Sequence, residues 1–182
     1  MGHNLNNNTM KYRSIILISA LLILINGQMH GQSKSKEALG NALVTSILNK
    51  NIDDFKALLL PQEVVFKSLE KNTAQNMDVE ARDSLKSKSE ANYKNVLLPQ
   101  YENNFWEIVN LNETHKIDWS NLKFVVLYKY ESKQEEYDPF LIHTKLINSD
   151  YNHFYFSAVR YKGEWFFEDK MEITKKEKYG SK

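Results

Sequence analysis

The sequence predicts an α+β domain, with helices first and an antiparallel sheet of about four strands after them. Apolar residues recur at helical spacing as far as about Asn112, and from Leu122 they alternate with polar ones at a period of two. In addition, 18 of the 22 aromatic residues lie from Tyr101 onward. The sheet must therefore turn a large aromatic face toward the helices.

The elements follow in order. Leu39, Ala42, Leu43, Ile47 and Leu48 mark one face of a helix over residues 35–50. Asn51 is placed to cap a short second helix, with Asp53 and Asp54 in its first turn, where negative charge suits the helix dipole. Phe55, Leu58 and Leu59 form its inner face, and Pro61 stops it. Val64, Val65 and Phe66 fit either a short strand or another helix. Asp78 to Tyr93 is charged and free of Pro and Gly, a surface helix with a thin apolar face. Pro99 must kink or restart it, and Tyr101, Phe105, Ile108 and Val109 carry helix on to about Asn112. Trp106 and Trp119 are expected as core or staple residues near the helix-to-sheet junction.

Leu122, Phe124, Val126, Tyr128 and Tyr130 alternate through the first strand. Phe140–Ile147, His153–Tyr161 and Glu164–Ile173 follow as the second, third and fourth. Lys162-Gly163 is a two-residue hairpin loop, and Asn148-Ser149-Asp150 a turn. The domain is expected over residues 33–174, with a frayed basic tail over 175–182.

The first 32 residues read as a secretory signal. Lys11 and Arg13 precede an apolar run from Ile15 to Ile25 broken only by Ser19. That run is about half the ~20 residues a helix needs to cross a bilayer. Small and polar residues follow it, and cleavage is expected near residues 27–32. A secreted or periplasmic protein with no membrane span after cleavage is implied. Met10-Lys11 resembles the natural start of such a signal, so His3 and His30 are not counted as ligands.

The chain has 24 Lys and Arg against 23 Asp and Glu, and losing Lys11 and Arg13 leaves 22 against 23. A near-neutral protein has no global field to steer it onto nucleic acid or anionic lipid, so no nucleic-acid partner is expected. With no cysteine, thiol catalysis and Cys-based zinc sites are excluded.

The hairpin register locates a candidate pocket face. Closing Lys162-Gly163 as a two-residue loop pairs Tyr161 with Glu164. Extended without interruption, it sets Phe156 opposite Asp169 and Phe154 opposite Met171. Phe154, Phe156, Trp165, Phe167 and Met171 then share one apolar face and are candidate pocket residues. Asp169 is the acid on that face. A carboxylate among aromatics loses solvation, which raises its pKa and suits acid–base work. The plainer alternative is an Asp near the sheet end that accepts hydrogen bonds.

Two stretches resemble nuclear transport factor 2-like domains, the polyketide cyclase-like group included. Ala42-Leu43 with Asn51-Ile52-Asp53-Asp54-Phe55-Lys56-Ala57-Leu58-Leu59-Leu60-Pro61 looks like their opening helices. Tyr161-Lys162-Gly163-Glu164-Trp165-Phe166-Phe167 resembles their final hairpin. The resemblance implies a cone, a curved sheet wrapped around helices, often with a pocket between them. Some members of that family are isomerases, dehydratases or cyclases using Asp, His or Tyr; many others only bind.

Other chemistry has less support. His115, His143 and His153 show no metal-binding spacing, and no metal or cofactor is expected. His143 is expected opposite Tyr155 or Phe156 rather than His153, with both histidines at the surface or an edge. Asn148, Asp150 and Asn152 imitate calcium-loop spacing without the required Gly and closing Glu. No phosphate loop or nucleophile elbow appears. The reading is thus a non-catalytic domain binding a small apolar ligand or a protein partner. One alternative is a lyase or isomerase with Asp169 as base and Tyr128 or His143 polarising a carbonyl. A further one is a homodimer formed through Tyr155, Val159 and Phe166 on the other sheet face.

Overall fold

The computed structural model describes residues 33–73, 77–132, 137–147 and 150–179. The expected leader lies outside the described residues, as do Asn148 and Ser149 of the expected turn.

Helix α1 (Lys36–Asn49) begins where the Ser35 side chain accepts from the Ala38 N–H at 3.1 Å. It stops at Lys50, which takes a left-handed φ of 53° and returns its N–H to the last turn. Leu39, Leu43 and Ile47 are fully buried, whereas Leu48 is 51% exposed. One residue past Ile47 is a rotation of about 100° around the helix, which carries Leu48 off the inner face.

Helix α2 (Ile52–Lys56) is capped as expected, Asn51 accepting from the N–H groups of Asp53 and Asp54. It ends well before Pro61. Pro61 instead leads into α3 (Gln62–Thr73), accepting from the Val64 N–H at 2.9 Å, so the ambiguous stretch is helical. Asp78 caps α4 (Val79–Asn92), which buries no residue, as its thin apolar face requires. A π-helical turn over Tyr93–Leu97 then joins α4 to α5 (Leu98–His115), with Pro99 in the first turn. Proline has no N–H to give and its ring crowds the preceding turn. The wider turn accommodates both defects, so the helix neither breaks nor ends there.

The sheet is an antiparallel meander in the order β1-β2-β3-β4: β1 (Val125–Lys129), β2 (Tyr137–Lys145), β3 (His153–Tyr161) and β4 (Glu164–Thr174). Lys162 and Gly163 both take left-handed φ, 51° and 84°, as the tight hairpin demands. Near the loop the pairing is the expected one, from Tyr161 with Glu164 to Ala158 with Phe167. Beyond it the register shifts, and Phe156 pairs with Met171 rather than Asp169. Glu168, Asp169 and Lys170 together stand opposite Ser157. The two extra residues in β4 form a bulge. An even insertion preserves side-chain parity, so Phe167 and Met171 both still face inward. A smaller irregularity between Val126 and Tyr128 breaks the alternation of β1, leaving Tyr128 56% exposed.

The core lies between one sheet face and helices α1, α2 and α5. Phe55 stacks on Phe105 with ring centroids 4.9 Å apart and touches Phe167 at 5.3 Å. Phe154, Phe156, Ala158, Phe167 and Met171 close the sheet side. Trp119 packs edge-on against Phe154 and donates to Asn112 at 2.8 Å, but Trp106 is 40% exposed on α5. Gly40 lies directly under the Phe124 ring, where a Cβ would come within 2.5 Å of Cζ.

Two segments fold over the second sheet face. Leu60, Val64 and Val65 cover Val159 and Phe166. Residues 175–179, expected as a free tail, return to Tyr155: the Lys178 N–H donates to its hydroxyl at 3.2 Å and the Tyr179 ring packs edge-on at 5.1 Å. Val159, Phe166 and Tyr155 are therefore buried inside the chain, and the dimer surface proposed from them is already covered. Among the described residues, no helix is long and apolar enough to cross a membrane.

Two substitutions test this packing. Phe167→Ala should lower stability by about 3–5 kcal/mol, the usual cost of removing a buried aromatic ring. Gly40→Ala should also lower the urea midpoint. In an open helix position the same change would raise stability by about 1 kcal/mol. A raised midpoint would mean that Phe124 does not lie on α1.

Candidate functional site

A cavity of about 500 Å³ opens beside the β4 bulge. Tyr137 and Pro139 of β2, Ser157 of β3, and Glu168 and Asp169 of β4 form its sheet wall, with Phe140 beside them and Tyr130 just past β1. Tyr93 and Leu97 come from the π-helical turn, Tyr101 from α5, and Leu60 and Val65 from the segment entering α3. The volume falls within the usual range of small-molecule sites, about 300–1,000 Å³.

The bulge places the polar groups. Glu168 is half-buried, and the Tyr137 hydroxyl donates to its carboxylate. The Tyr101 hydroxyl donates to the Glu168 backbone carbonyl at 2.5 Å. On the same turn of α5, the Asn104 amide bonds both the N–H and the C=O of Met171, at 2.8 and 3.0 Å. These contacts from α5 hold the two ends of the bulge.

Burial, reinforced by the neighbouring Asp169 charge, pushes the Glu168 carboxyl up to about 7 from an ordinary 4.5. Burial, with the Asp169 and Glu168 charges behind it, holds the Tyr101 phenol up at about 12. Burial also raises Tyr93. Tyr101 is thus a fixed neutral donor, while Glu168 can take up or release a proton near neutrality.

The residues singled out from sequence are not brought together. Asp169 lines the cavity but is exposed, at the bulge rather than on the core face. Tyr128 packs against Tyr130 on the open side of β1. Phe154, Phe156, Phe167 and Met171 are closed into the core, and Trp165 is half-buried against Phe140; none of these five lines the cavity. Glu168, Tyr101 and Tyr137 were missed. Their only sequence signal is an adjacent acid pair in an aromatic strand, and an uninterrupted register puts Glu168 on the opposite face.

His143 does pair with Tyr155 across the strands. Its ring nevertheless reaches His153 diagonally, Nε2 to Nδ1 at 3.0 Å, and both are buried rather than at the surface. Burial, with His153 beside it, lowers the His143 pKa below 6.5. Among the described residues, no group of three or more His, Cys, Asp and Glu is placed to hold a metal ion. A second cavity, of about 540 Å³, lies between α3 and α4 and is lined by mixed charges with Phe66 as its one aromatic.

Compared with known proteins, the chain matches no family model, no curated protein and no solved structure.

Glu168 and His143, the two of these groups that titrate near neutrality or below, act on stability in opposite directions of pH. Glu168 has a raised folded-state pKa, so its penalty is absent below 4.5 and develops as pH rises toward 7. His143 has a lowered one, so its contribution is intact above 6.5 and is lost as pH falls below that value. Urea midpoints between pH 4 and 8 should show Glu168→Gln gaining most on the alkaline side. His143→Gln should flatten the acid side. Equal gains at every pH in either variant would refute the assignment.

Proposed function

We propose that the chain is an exported, non-catalytic domain that binds a small, largely apolar ligand, and that it is related to nuclear transport factor 2-like domains. The carrying observation is the cavity. It is of ligand size, walled by aromatic and aliphatic side chains, and supplied with a few fixed polar groups at one end. It lies where β2, β3, β4, the π-helical turn, α5 and the start of α3 meet at an irregular strand, with helix side chains holding the backbone. The helices-then-meander order and the Lys162-Gly163 hairpin support the family relation, and the Lys11 to Ile25 pattern supports export.

A second reading has one observation in its favour. Glu168 titrates near neutrality with the Tyr137 hydroxyl on its carboxylate, the disposition of a general acid–base group. On that reading a lyase or isomerase would use Glu168 in place of Asp169, with Tyr101 as the neutral donor.

A fragment library screened by NMR against the isotope-labelled full chain tests the binding reading. Hits should move the signals of Tyr93, Tyr101, Tyr137 and Ser157. Leu97→Trp, which places an indole in the cavity from a half-buried position, should abolish them without changing the fold. Hits that ignore Leu97→Trp would place binding elsewhere. For export, mass spectrometry of the secreted or periplasmic protein should give an N-terminus between Gln28 and Ser33. An intact Met1 or Met10 on the exported protein would contradict it.

A further inference from the structure

We propose that the cavity selects a small organic cation, an alkylated ammonium group on an apolar body. The inference rests on the ligand-binding reading and specifies its ligand. Four tyrosines line the cavity, Tyr93, Tyr101, Tyr130 and Tyr137, and two carboxyl groups stand at one end, Glu168 and Asp169. No Lys, Arg or His is among the described residues that line it.

Each ligand class meets this wall differently. An anion would lose its hydration and face two acids, with only hydroxyls to replace water. A neutral apolar molecule would fill the space but gain nothing from the two carboxyl groups. A cation is attracted by the negative faces of the tyrosine rings, an interaction that strengthens as water is excluded. It also neutralises the acid pair directly. Bulky alkyl groups on the nitrogen suit the remaining wall of Leu60, Val65, Leu97, Pro139 and Phe140, which offers nothing to hydrogen-bond an N–H.

The cations at the edge do not oppose this. Lys129 and Arg160 lie over the Phe140 ring, at 5.6 and 6.0 Å, and both are bound to Asp138 at 2.7 Å. The groups facing Glu168 are Asp169 on its own strand, Tyr137 from β2, and Tyr101 from the helical side with Tyr93 behind it. None of these described groups brings positive charge, so among them an ionised Glu168 has the Tyr137 hydroxyl as its partner and no cation. Binding must then displace the proton Glu168 carries below neutrality. Affinity for a cation should rise with pH up to about 7 and level off above it, by as much as about tenfold per unit.

The test uses the full chain and three probes of similar compact shape, each with at least three methyl groups on one central atom: tetramethylammonium, tert-butanol and pivalate. Their titrations at pH 8 are followed by NMR at Tyr93, Tyr101 and Tyr137. Tetramethylammonium should saturate at a concentration about tenfold below tert-butanol, and pivalate should not bind. Asp169→Asn, at an exposed position, and Glu168→Gln should each weaken the cation at least about threefold and leave tert-butanol unchanged. Glu168→Gln should also abolish the pH dependence. If tert-butanol or pivalate binds as tightly as the cation, selectivity is overturned while the ligand-binding reading stands. If no probe shifts these signals, the cation inference is overturned, and the fragment screen with Leu97→Trp decides the broader reading separately.

Discussion

An edge strand exposes a row of N–H and C=O groups that must find partners or attract another chain. In this fold β4, of eleven residues, is such a strand, and the chain covers it piece by piece with groups that are not strands. Ser33 exchanges backbone bonds with Trp165, at 3.3 and 2.8 Å. Residues 58–60 do the same for Phe167, at 2.8 and 3.0 Å. Tyr101 takes the Glu168 carbonyl, and the Asn104 side chain serves both groups of Met171. The extended link between α2 and α3 thus has a structural reason. It runs along β4 because β4 needs it, and so delivers α3 to the far face of the sheet, where Val64 and Val65 cover Val159 and Phe166.

The bulge belongs to the same arrangement. Three β4 residues facing one β3 residue cannot all join the ladder. From α5, Tyr101 meets the Glu168 carbonyl and Asn104 holds Met171 just beyond the bulge, and the bulged side chains are free to do something other than pack. The even count of inserted residues keeps an uninterrupted aromatic core behind the bulge while turning Glu168 and Asp169 to the cavity. Core and cavity therefore share one irregular strand without compromising each other. Phe167 and Met171, flanking the insertion, are almost completely buried.

The parts of this fold that were legible in the sequence are those set by local chemistry. Asn51 and Asp78 cap helices because their side chains sit where a first turn has unpaired N–H groups. Lys162-Gly163 makes a hairpin because glycine reaches positive φ without strain. The layout of helices followed by a meander came from periodicity, which depends only on which face is buried. What escaped depends on groups distant in sequence. Nothing near Ser157 announces that β4 will hold two extra residues there, since the compensating bonds come from Tyr101 and Asn104, 67 residues away in each case. A register extended from the turn is correct until the first such insertion, and so Asp169 was assigned the wrong neighbours. The His143–His153 contact escaped for a related reason. Directly opposed residues follow from the register, but a diagonal meeting of two rings depends on strand twist and side-chain conformation.

The acid pair has a cost that bears on what it is for. Two adjacent carboxyl groups, one of them half-buried under tyrosines, oppose each other's ionisation, and the fold would be more stable above neutral pH without that strain. A glutamine at position 168 would accept the Tyr137 hydroxyl without any charge. The bulge itself does not need the carboxylate, since its backbone is held by Tyr101 and Asn104. The carboxylate of Glu168 thus places a charge on the cavity wall that the hydrogen bonds described for the fold do not require. Sites that oppose stability in this way are where function is to be sought, and here that principle and the cavity geometry point to the same two side chains.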